Sequence, residues 1–300
     1  MQNIKLSVAL CTYNGSRFLA KQLDSILQQS LPVDEIIICD DNSTDATMQI
    51  IEKYAEANRD IIRFYKNVPG LGVKRNFEKA ISLCTGDFIF LSDQDDIWTS
   101  GKTEKLVGFA TTHPEALFVF TDAQLIDDNE KIIEGSLWKH LKFHKRLQNK
   151  WRSNRFVFFK LAQGFNFATG ATVMIRATLK TKALPFPDLP FRYWHDAYLA
   201  TIAASENGVF FLEEPLTKYR IHADQQLGIG QGVIRKNWTG ITDYATHGYL
   251  TALSKKVSPA KWFPILIAKF SLKCYDFYQR RSEKGPVKAL YRKFFKREIS

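Results

Sequence analysis

Asp93-Gln94-Asp95-Asp96 places three carboxylates within four residues, directly after the apolar run 88–91. Like charges this close repel unless a cation neutralises them. A hard divalent ion such as Mg2+ or Mn2+ is the natural occupant, keeping some waters and sharing phosphate oxygens. The competing reading is a solvated acidic turn that caps the helix after Trp98. A second cluster, Asp40-Asp41-Asn42-Ser43-Thr44-Asp45, follows the run 35–39. One of its carboxylates can accept hydrogen bonds from a base or a ribose, while Ser43 or Asp45 suits a helix N-cap and Asn42 a turn. Trp194-His195-Asp196 precedes an apolar helical run, and Lys218-Tyr219-Arg220-Ile221-His222 offers basic groups able to meet diphosphate oxygens. A lone histidine after a strand is also commonly structural or solvent-exposed.

Such groups act only if a scaffold brings them together. Residues 4–10, 35–39, 88–91 and 117–120 are short runs rich in β-branched or aromatic residues that read as buried strands, and 61–65 reads as another. Leu19, Leu23, Ile26, Leu27 and Ser30 recur at helical spacing between the turn Asn14-Gly15-Ser16 and Pro32. Val73, Phe77, Ala80, Ile81 and Cys84 form a second stripe, and residues 45–57 a third helix. This alternation predicts an α/β fold with a doubly wound, mostly parallel central sheet, flanked by helices with right-handed crossovers. Ligands of such sheets bind outside the carboxyl ends of the strands, where residues 11–15, 40–43 and 92–96 fall.

After about residue 150 the pattern is less regular. Residues 171–175 and 209–212 read as strands, 195–204 as a helix and 227–232 as a Gly-rich loop. The small residues of 170–175 can leave room for a sugar or pack tightly in a core. Trp151, Phe156, Phe158 and Phe159 fit either acceptor stacking or core packing.

The chain has 300 residues, 45% hydrophobic and 24% charged, which excludes disordered, collagen-like and fibrous classes. Its formal charge is +11, which raises the possibility of nucleic-acid binding. Residues 255–300 carry 13 basic and 3 acidic groups, however, and residues 1–100 carry 10 basic and 14 acidic. A basic tail therefore follows an acidic front third. Cys11, Cys39, Cys84 and Cys274 show no metal-ligand spacing and are expected to be free thiols in a reducing cytoplasm. The amino terminus lacks the apolar core of a signal peptide, and no run approaches 18 uncharged apolar residues. Gly70-Leu71-Gly72 does not complete a dinucleotide fingerprint and there is no P-loop, which disfavours an NAD enzyme or a P-loop ATPase.

The segments 6–15, 35–45 and 91–98 together resemble glycosyltransferase family 2, in particular the bacterial rhamnosyltransferase-like members that build surface polysaccharides. The likeness covers residues 4 to about 110 specifically, extends less specifically to about 225, and says little about the tail. It implies a GT-A fold, a nucleotide-sugar donor linked to dTDP or UDP, and Mn2+ or Mg2+. Position by position, Thr12, Tyr13 and Asn14 match the segment lining the nucleotide, and Asp41 the carboxylate contacting the base. Asp93 matches the Asp-x-Asp member nearer the ribose or metal shell, and Asp95 the more direct metal ligand. Arg75 and Asn76 fall where members often hold the donor, although an ordinary helix-start arginine fits equally. Asp196 matches the carboxylate that takes the acceptor proton, with His195 where many members have Glu; a plain helix cap is the alternative. His222 resembles a late histidine that approaches the metal or phosphate.

These expectations divide the chain into a GT-A domain over 1–230, with a nucleotide-sugar part to about 110 and an acceptor part beyond it, and a loop with a basic amphipathic helical tail over 231–300. The expected activity is inverting, metal-dependent sugar transfer, with rhamnose a candidate, onto a glycan or lipid-linked acceptor in surface polysaccharide synthesis. In the tail, aromatics interleave with Lys and Arg from Trp262 to Arg297, which suits an anionic membrane surface at the inner face of the cell membrane or packing against the body. Two other accounts are a catalytically silent nucleotide-sugar-binding relative, and a nucleic-acid-binding protein that uses the tail. The latter leaves the ordered acidic motifs without a role, and no nucleic-acid partner is expected.

Overall fold

The computed structural model describes residues 4–162, 165–187, 194–223, 225 and 256. The Gly-rich loop at 227–232, Cys274 and the aromatic-basic tail after Lys256 lie outside the described residues, as does the expected boundary near 231.

The first half alternates as the sequence predicts: β1 (Leu6–Thr12), α1 (Leu19–Leu27), β2 (Glu35–Asp40), α2 (Thr47–Ala57), β3 (Ile62–Lys66), α3 (Val73–Leu83) and β4 (Phe88–Ser92). There follow β5 (Ile97–Trp98), α4 (Lys102–Thr112), β6 (Phe118–Ile126) and β7 (Ile132–Ser136). Three short helices come next, α5 (Leu137–His140), α6 (Lys145–Trp151) and α7 (Asn154–Ala162). A single 3-10 turn (Gly170–Thr172) then leads into β8 (Val173–Arg176), α8 (Ala177–Ala183), α9 (His195–Ser205) and β9 (Val209–Arg220).

The nine strands among the described residues join one sheet, ordered β3-β2-β1-β4-β8-β6-β9-β5, with β7 paired to β6. The β3-β2-β1-β4 half is parallel throughout. In the other half β8 runs antiparallel to β4 and β6, β9 is parallel to β6, and β5 is antiparallel to β9. Strands β1, β2 and β4 are buried along their whole length because helices cover both faces, whereas the edge strand β3 fully buries only Ile62. Val8, Leu10, Ile36, Ile38 and Phe90 face α1, α2 and α4 through Leu23, Ile51 and Leu106. Ala9, Cys11, Ile37, Cys39 and Leu91 face α3 and α9 through Phe77, Ile81 and Tyr198. Each such Leu or Ile side chain contributes roughly 1.5–3 kcal/mol by leaving water.

Cys11, Cys39 and Cys84 are buried free thiols, as expected. Trp151 and Phe158 are 2% and 3% exposed within the second of these cores, which settles them as packing residues, with Phe156 half-buried against it. The run 171–175 resolves into the 3-10 turn and β8, whose Val173, Met174 and Ile175 are buried. Strand β9 is much longer than the run 209–212 implies. Register shifts on either side of the Asp122–Pro215 pair accommodate Glu213 and Glu214, then Leu216, and pairing continues to Arg220. Such irregularities around a proline hide a strand from period-two reading. No helix among the described residues is long and apolar enough to cross a membrane.

Candidate active site

Parallel pairing fixes where the acidic loops emerge. Thr12 lies opposite Asp40 in the β1–β2 register, and Leu10 opposite Ser92 in the β1–β4 register, so the loops after β1, β2 and β4 leave the same edge of the sheet. They enclose, with the end of β9, a cleft of about 490 Å3 lined by Thr12, Tyr13, Asn14, Asp41, Asn76, Asp93, Asp95 and His222, among others. Eight of the ten residues singled out by sequence therefore share one cavity. Asp196 and Arg75 are not in its wall.

The loops are cross-stitched. The Tyr13 N–H donates to Gln94 Oε1 (2.7 Å), and Gln94 Nε2 donates back to the Tyr13 carbonyl (2.9 Å). Gln94 lies so close to Gly15 that a Cβ there would sit 2.1 Å from Gln94 Oε1. Asn14 is in the left-handed region at φ +48°. It receives the Thr44 N–H on Oδ1 (2.8 Å) while its own N–H donates to Ser43 Oγ (2.9 Å).

Within the second cluster the carboxylates divide the tasks left open by sequence. Asp40 is buried and consumed internally, accepting from Thr12 Oγ1 (2.9 Å), the Ser43 N–H (2.8 Å) and the Ser43 hydroxyl. Asp45, one residue before the Ala46 N-cap of α2, accepts the Thr47 N–H (3.0 Å) at the start of that helix. Burial alone would raise its pKa, but hydrogen bonds from Thr47 and Ser16 outweigh this and hold it low. Asp41 faces the cleft and also anchors the loop before α3, accepting from the N–H groups of Leu71 (2.6 Å) and Gly72 (2.9 Å).

At the centre, His222 Nε2 lies 2.9 Å from Asp95 Oδ2, a contact between residues 127 apart in sequence. Its ring packs against Phe18 at 4.9 Å, and its Nδ1 is buried without a partner among the described residues. Beside it, burial and the charges of Asp95 and Asp196 push Asp93 up from 3.8 to about 7, against the pull of Lys102. Asp96 is also held well above the usual carboxylate range by burial, Asp95 and Asp93. Its Oδ1 accepts the Arg220 N–H (2.9 Å), and its Oδ2 has no partner among the described residues.

Arg220 corrects an expectation. Instead of reaching for diphosphate it is fully buried, donating through Nε to the Asp95 carbonyl (2.8 Å) and through Nη1 to the carbonyls of Asp127 (3.0 Å) and Asp128 (3.2 Å). Its guanidinium also lies 4.5 Å from the Phe18 ring centre. It is a strut that fixes the acidic loop, while Lys218 is exposed.

Arg75 also departs from expectation. Its Nη1 donates to Glu78 Oε2 (2.5 Å) and to the Phe186 carbonyl (2.9 Å), on the face of α3 turned away from the cleft. Helical geometry gives neighbouring residues different faces, so of the two only Asn76 reaches the cleft wall. There it is bound to Cys39 O and Asn67 Nδ2, both at 2.8 Å.

On the acceptor side, Asp196 sits in the first turn of α9, with Oδ1 accepting the Ala197 N–H (2.6 Å). Burial lifts its pKa to about 6, opposed by the N–H groups of Ala197, Gly170 and Asp196 itself. His195 stacks on Phe77 at 3.8 Å, and burial with the Lys74 charge pushes its pKa down to about 3, so it is neutral. Both ring nitrogens lack partners among the described residues. Gly170 lies between this ring and Asp93: a Cβ there would meet His195 Nε2 at 2.9 Å and Asp93 Oδ2 at 4.0 Å.

Two cations escape sequence reading. Arg17 lines the cleft and pairs with Asp128 (2.6 Å). Lys102 is fully buried, donating to Ala171 O (2.7 Å) and Thr217 Oγ1 (3.0 Å) with its Nζ 4.1 Å from the Trp98 ring. Burial lowers its pKa to about 7, although Asp96 and Asp93 pull it upward. A signal exists: Lys102 continues the buried Leu106–Ala110 stripe of α4 at i−4.

This arrangement, acidic loops at the carboxyl edge of a half-parallel sheet closed by a late histidine, coincides with a match over residues 7–170 to the family described as Glycosyl transferase family 2. The chain belongs to glycosyltransferase family 2. Among its relatives, the dTDP-rhamnosyl transferase RfbG of Shigella flexneri is 27% identical over 251 residues, covering 76% of this chain and 80% of RfbG. The chain spans 45% to 65% of the length of other curated relatives it matches.

Of solved structures, Staphylococcus aureus TarS 1–349 with UDP-GlcNAc superposes with a TM-score of 0.59 at 18% identity, covering 93% of this chain and 76% of TarS. The mannosyltransferase PcManGT of Pyrobaculum calidifontis with GDP-Man and Mn2+ gives 0.55 at 16%, covering 97% and 79%. The fold is the GT-A fold of glycosyltransferases.

Proposed function

We propose that the cleft binds a nucleoside diphosphate sugar with Mn2+ or Mg2+, and that the chain transfers the sugar with inversion to a glycan or lipid-linked acceptor in surface polysaccharide synthesis. The observation that carries this reading is the 2.9 Å contact of Asp95 with His222. It lies in the same cavity as Thr12, Tyr13, Asn14, Asp41 and Asn76.

The residues fit a divalent ion. Among the described residues no three His, Cys, Asp or Glu surround one point, so Asp95 and His222, with Asp93 beside them, would hold the ion. Donor oxygens and water would supply the remaining ligands, as a hard cation in a nucleotide site commonly requires. Burial and mutual repulsion raise Asp93 and Asp96, and a bound cation would relieve both. When bound, the ion supplies positive charge to the departing diphosphate.

The chain's own residues do the rest. Asp41 retains acceptor capacity for a base N–H, and the exposed Tyr13 ring offers a flat surface at the cleft. Arg17 is the cation placed to meet phosphate oxygens. Asp196, ionised above its pKa of about 6, takes the proton from the acceptor hydroxyl. That oxygen then bonds to the anomeric carbon as the bond to the diphosphate breaks. The likeness to RfbG makes dTDP-rhamnose the first donor to test, and the UDP-GlcNAc held by TarS makes UDP-hexoses the second. The basic tail is proposed to hold the protein at the inner face of the cell membrane. A thermal-shift panel of nucleotides and nucleotide sugars with and without Mn2+ tests the donor reading. Stabilisation that needs both nucleotide and ion supports it, and none across the panel removes it.

A further inference from the structure

Between residues 135 and 187 the sequence holds eleven Lys and Arg and no Asp or Glu. Eight of these cations fall between 139 and 160, on α5, α6, α7 and their connections. The apolar residues of the same stretch, Leu137, Trp138, Phe143, Trp151, Val157 and Phe158, are buried. Packing them inward drives the cations outward, and all eight are exposed except Lys160, which is half-buried.

Among the described residues, few acidic groups pair with this face. Glu213 serves both Lys145 and Arg152, and Glu134 lies 3.9 Å from Lys139 with both side chains in water. Lys142, Lys150 and Arg155 have no ion-pair partner among the described residues. The charge is mixed with aromatic surface: Lys160 Nζ lies within 5.3–5.7 Å of the ring centres of Phe156, Phe159 and Phe165, all half-buried. The face also borders the acceptor side. Helix α7 packs on α9, which carries Asp196, and Phe167 stacks on Phe143 at 4.7 Å just before the segment reaches Gly170.

We propose that the basic face of α5–α7 docks on an anionic bilayer surface. Exposed cations beside partly exposed aromatic rings match a headgroup layer, where anionic lipid attracts the charge and rings settle at the polar–apolar boundary. A soluble polyanion would use the cations alone and leaves the Phe156, Phe159 and Phe165 surface without a role. This surface is distinct from the tail and does not depend on the assignment of the cleft.

The test is sedimentation of the full chain with vesicles of phosphatidylglycerol and phosphatidylcholine in about a one-to-two ratio, and with phosphatidylcholine alone. It compares wild type with Lys142→Glu/Lys150→Glu/Arg155→Glu and with a control of equal charge change on the far edge, Lys53→Glu/Arg59→Glu/Lys66→Glu. The expected result is a loss of binding to the anionic vesicles of at least about tenfold in the first variant, little change in the control, and rescue at intermediate level by the Gln versions. Circular dichroism confirms that both variants fold. Equal binding by the first variant and wild type would assign all membrane affinity to the tail and overturn the proposal. Equal losses in variant and control, or a loss confined to soluble polyphosphate binding, would overturn it as well.

Discussion

Asp93 is held in the fold at an electrostatic cost, and replacing it with Asn should make the metal-free protein more stable while disabling it. Burial, Asp95 and Asp196 raise its pKa from 3.8 to about 7. Between these values the folded state binds more protons than the unfolded chain, so stability is lost as pH rises through the window from about 4 to about 7. A rise of this size corresponds to roughly 4 kcal/mol, at about 1.4 kcal/mol for each pH unit. Solvent access to the half-buried carboxylate reduces this to on the order of 2 kcal/mol. An amide at this position would keep the shape without the charge. In EDTA, Asp93→Asn should therefore unfold about 4–6 °C above wild type at pH 8, with a smaller gain at pH 5 where the wild-type carboxyl is already protonated. Added Mn2+ with nucleotide should then stabilise wild type more than the variant. Thermal melts at the two pH values provide the measurement. A variant equal to or below wild type at pH 8 would refute the electrostatic account of the cluster.

Asp196→Asn should lower turnover by about 10²–10⁴ with little change in nucleotide-induced stabilisation; the wild-type rate should rise with pH through about 6, and that limb should vanish in the variant. Gly15→Ala would bring a Cβ against Gln94 Oε1, so it should displace Gln94 from Tyr13 and weaken nucleotide binding by calorimetry, with a loss of stability of about 1 kcal/mol or less because the displaced group is the end of a flexible chain. Arg220→Met removes the strut from the carbonyls of Asp95, Asp127 and Asp128, and urea unfolding should show a loss of about 3–5 kcal/mol.

How much of this molecule is legible in its sequence follows from periodicity. Strands β1, β2 and β4 and helices α1 and α3 repeat apolar residues at regular intervals, and their order alone places three polar loops on one edge. Spacing does not join His222 to Asp95; only the family resemblance brings residues 127 apart into one site. Arg75 and Arg220 defeat sequence reading because a basic side chain in a motif looks alike whether it meets a ligand or a backbone carbonyl. Only tertiary placement distinguishes the Phe186 and Asp127 carbonyls from a phosphate. Helices α5 and α6 are invisible to periodicity because they are too short for a stripe to emerge, and α7, as long as α1, runs its apolar residues Phe156, Val157, Phe158 and Phe159 consecutively instead of at helical spacing. Their charge is hidden as well, since the basic block they carry cancels acidic residues elsewhere when the body is summed as a whole.

Everything proposed for the cleft depends on its activating a nucleotide sugar with a divalent ion held at Asp95 and His222. Release of nucleoside diphosphate from dTDP-rhamnose or a UDP-hexose by the purified chain, with Mn2+ or with EDTA, in wild type and Asp95→Ala, addresses that dependence without an intermediary. Turnover is expected only in wild type with the ion. Turnover that persists in EDTA and in Asp95→Ala would show that the ion and its carboxylate are not the working parts of this site.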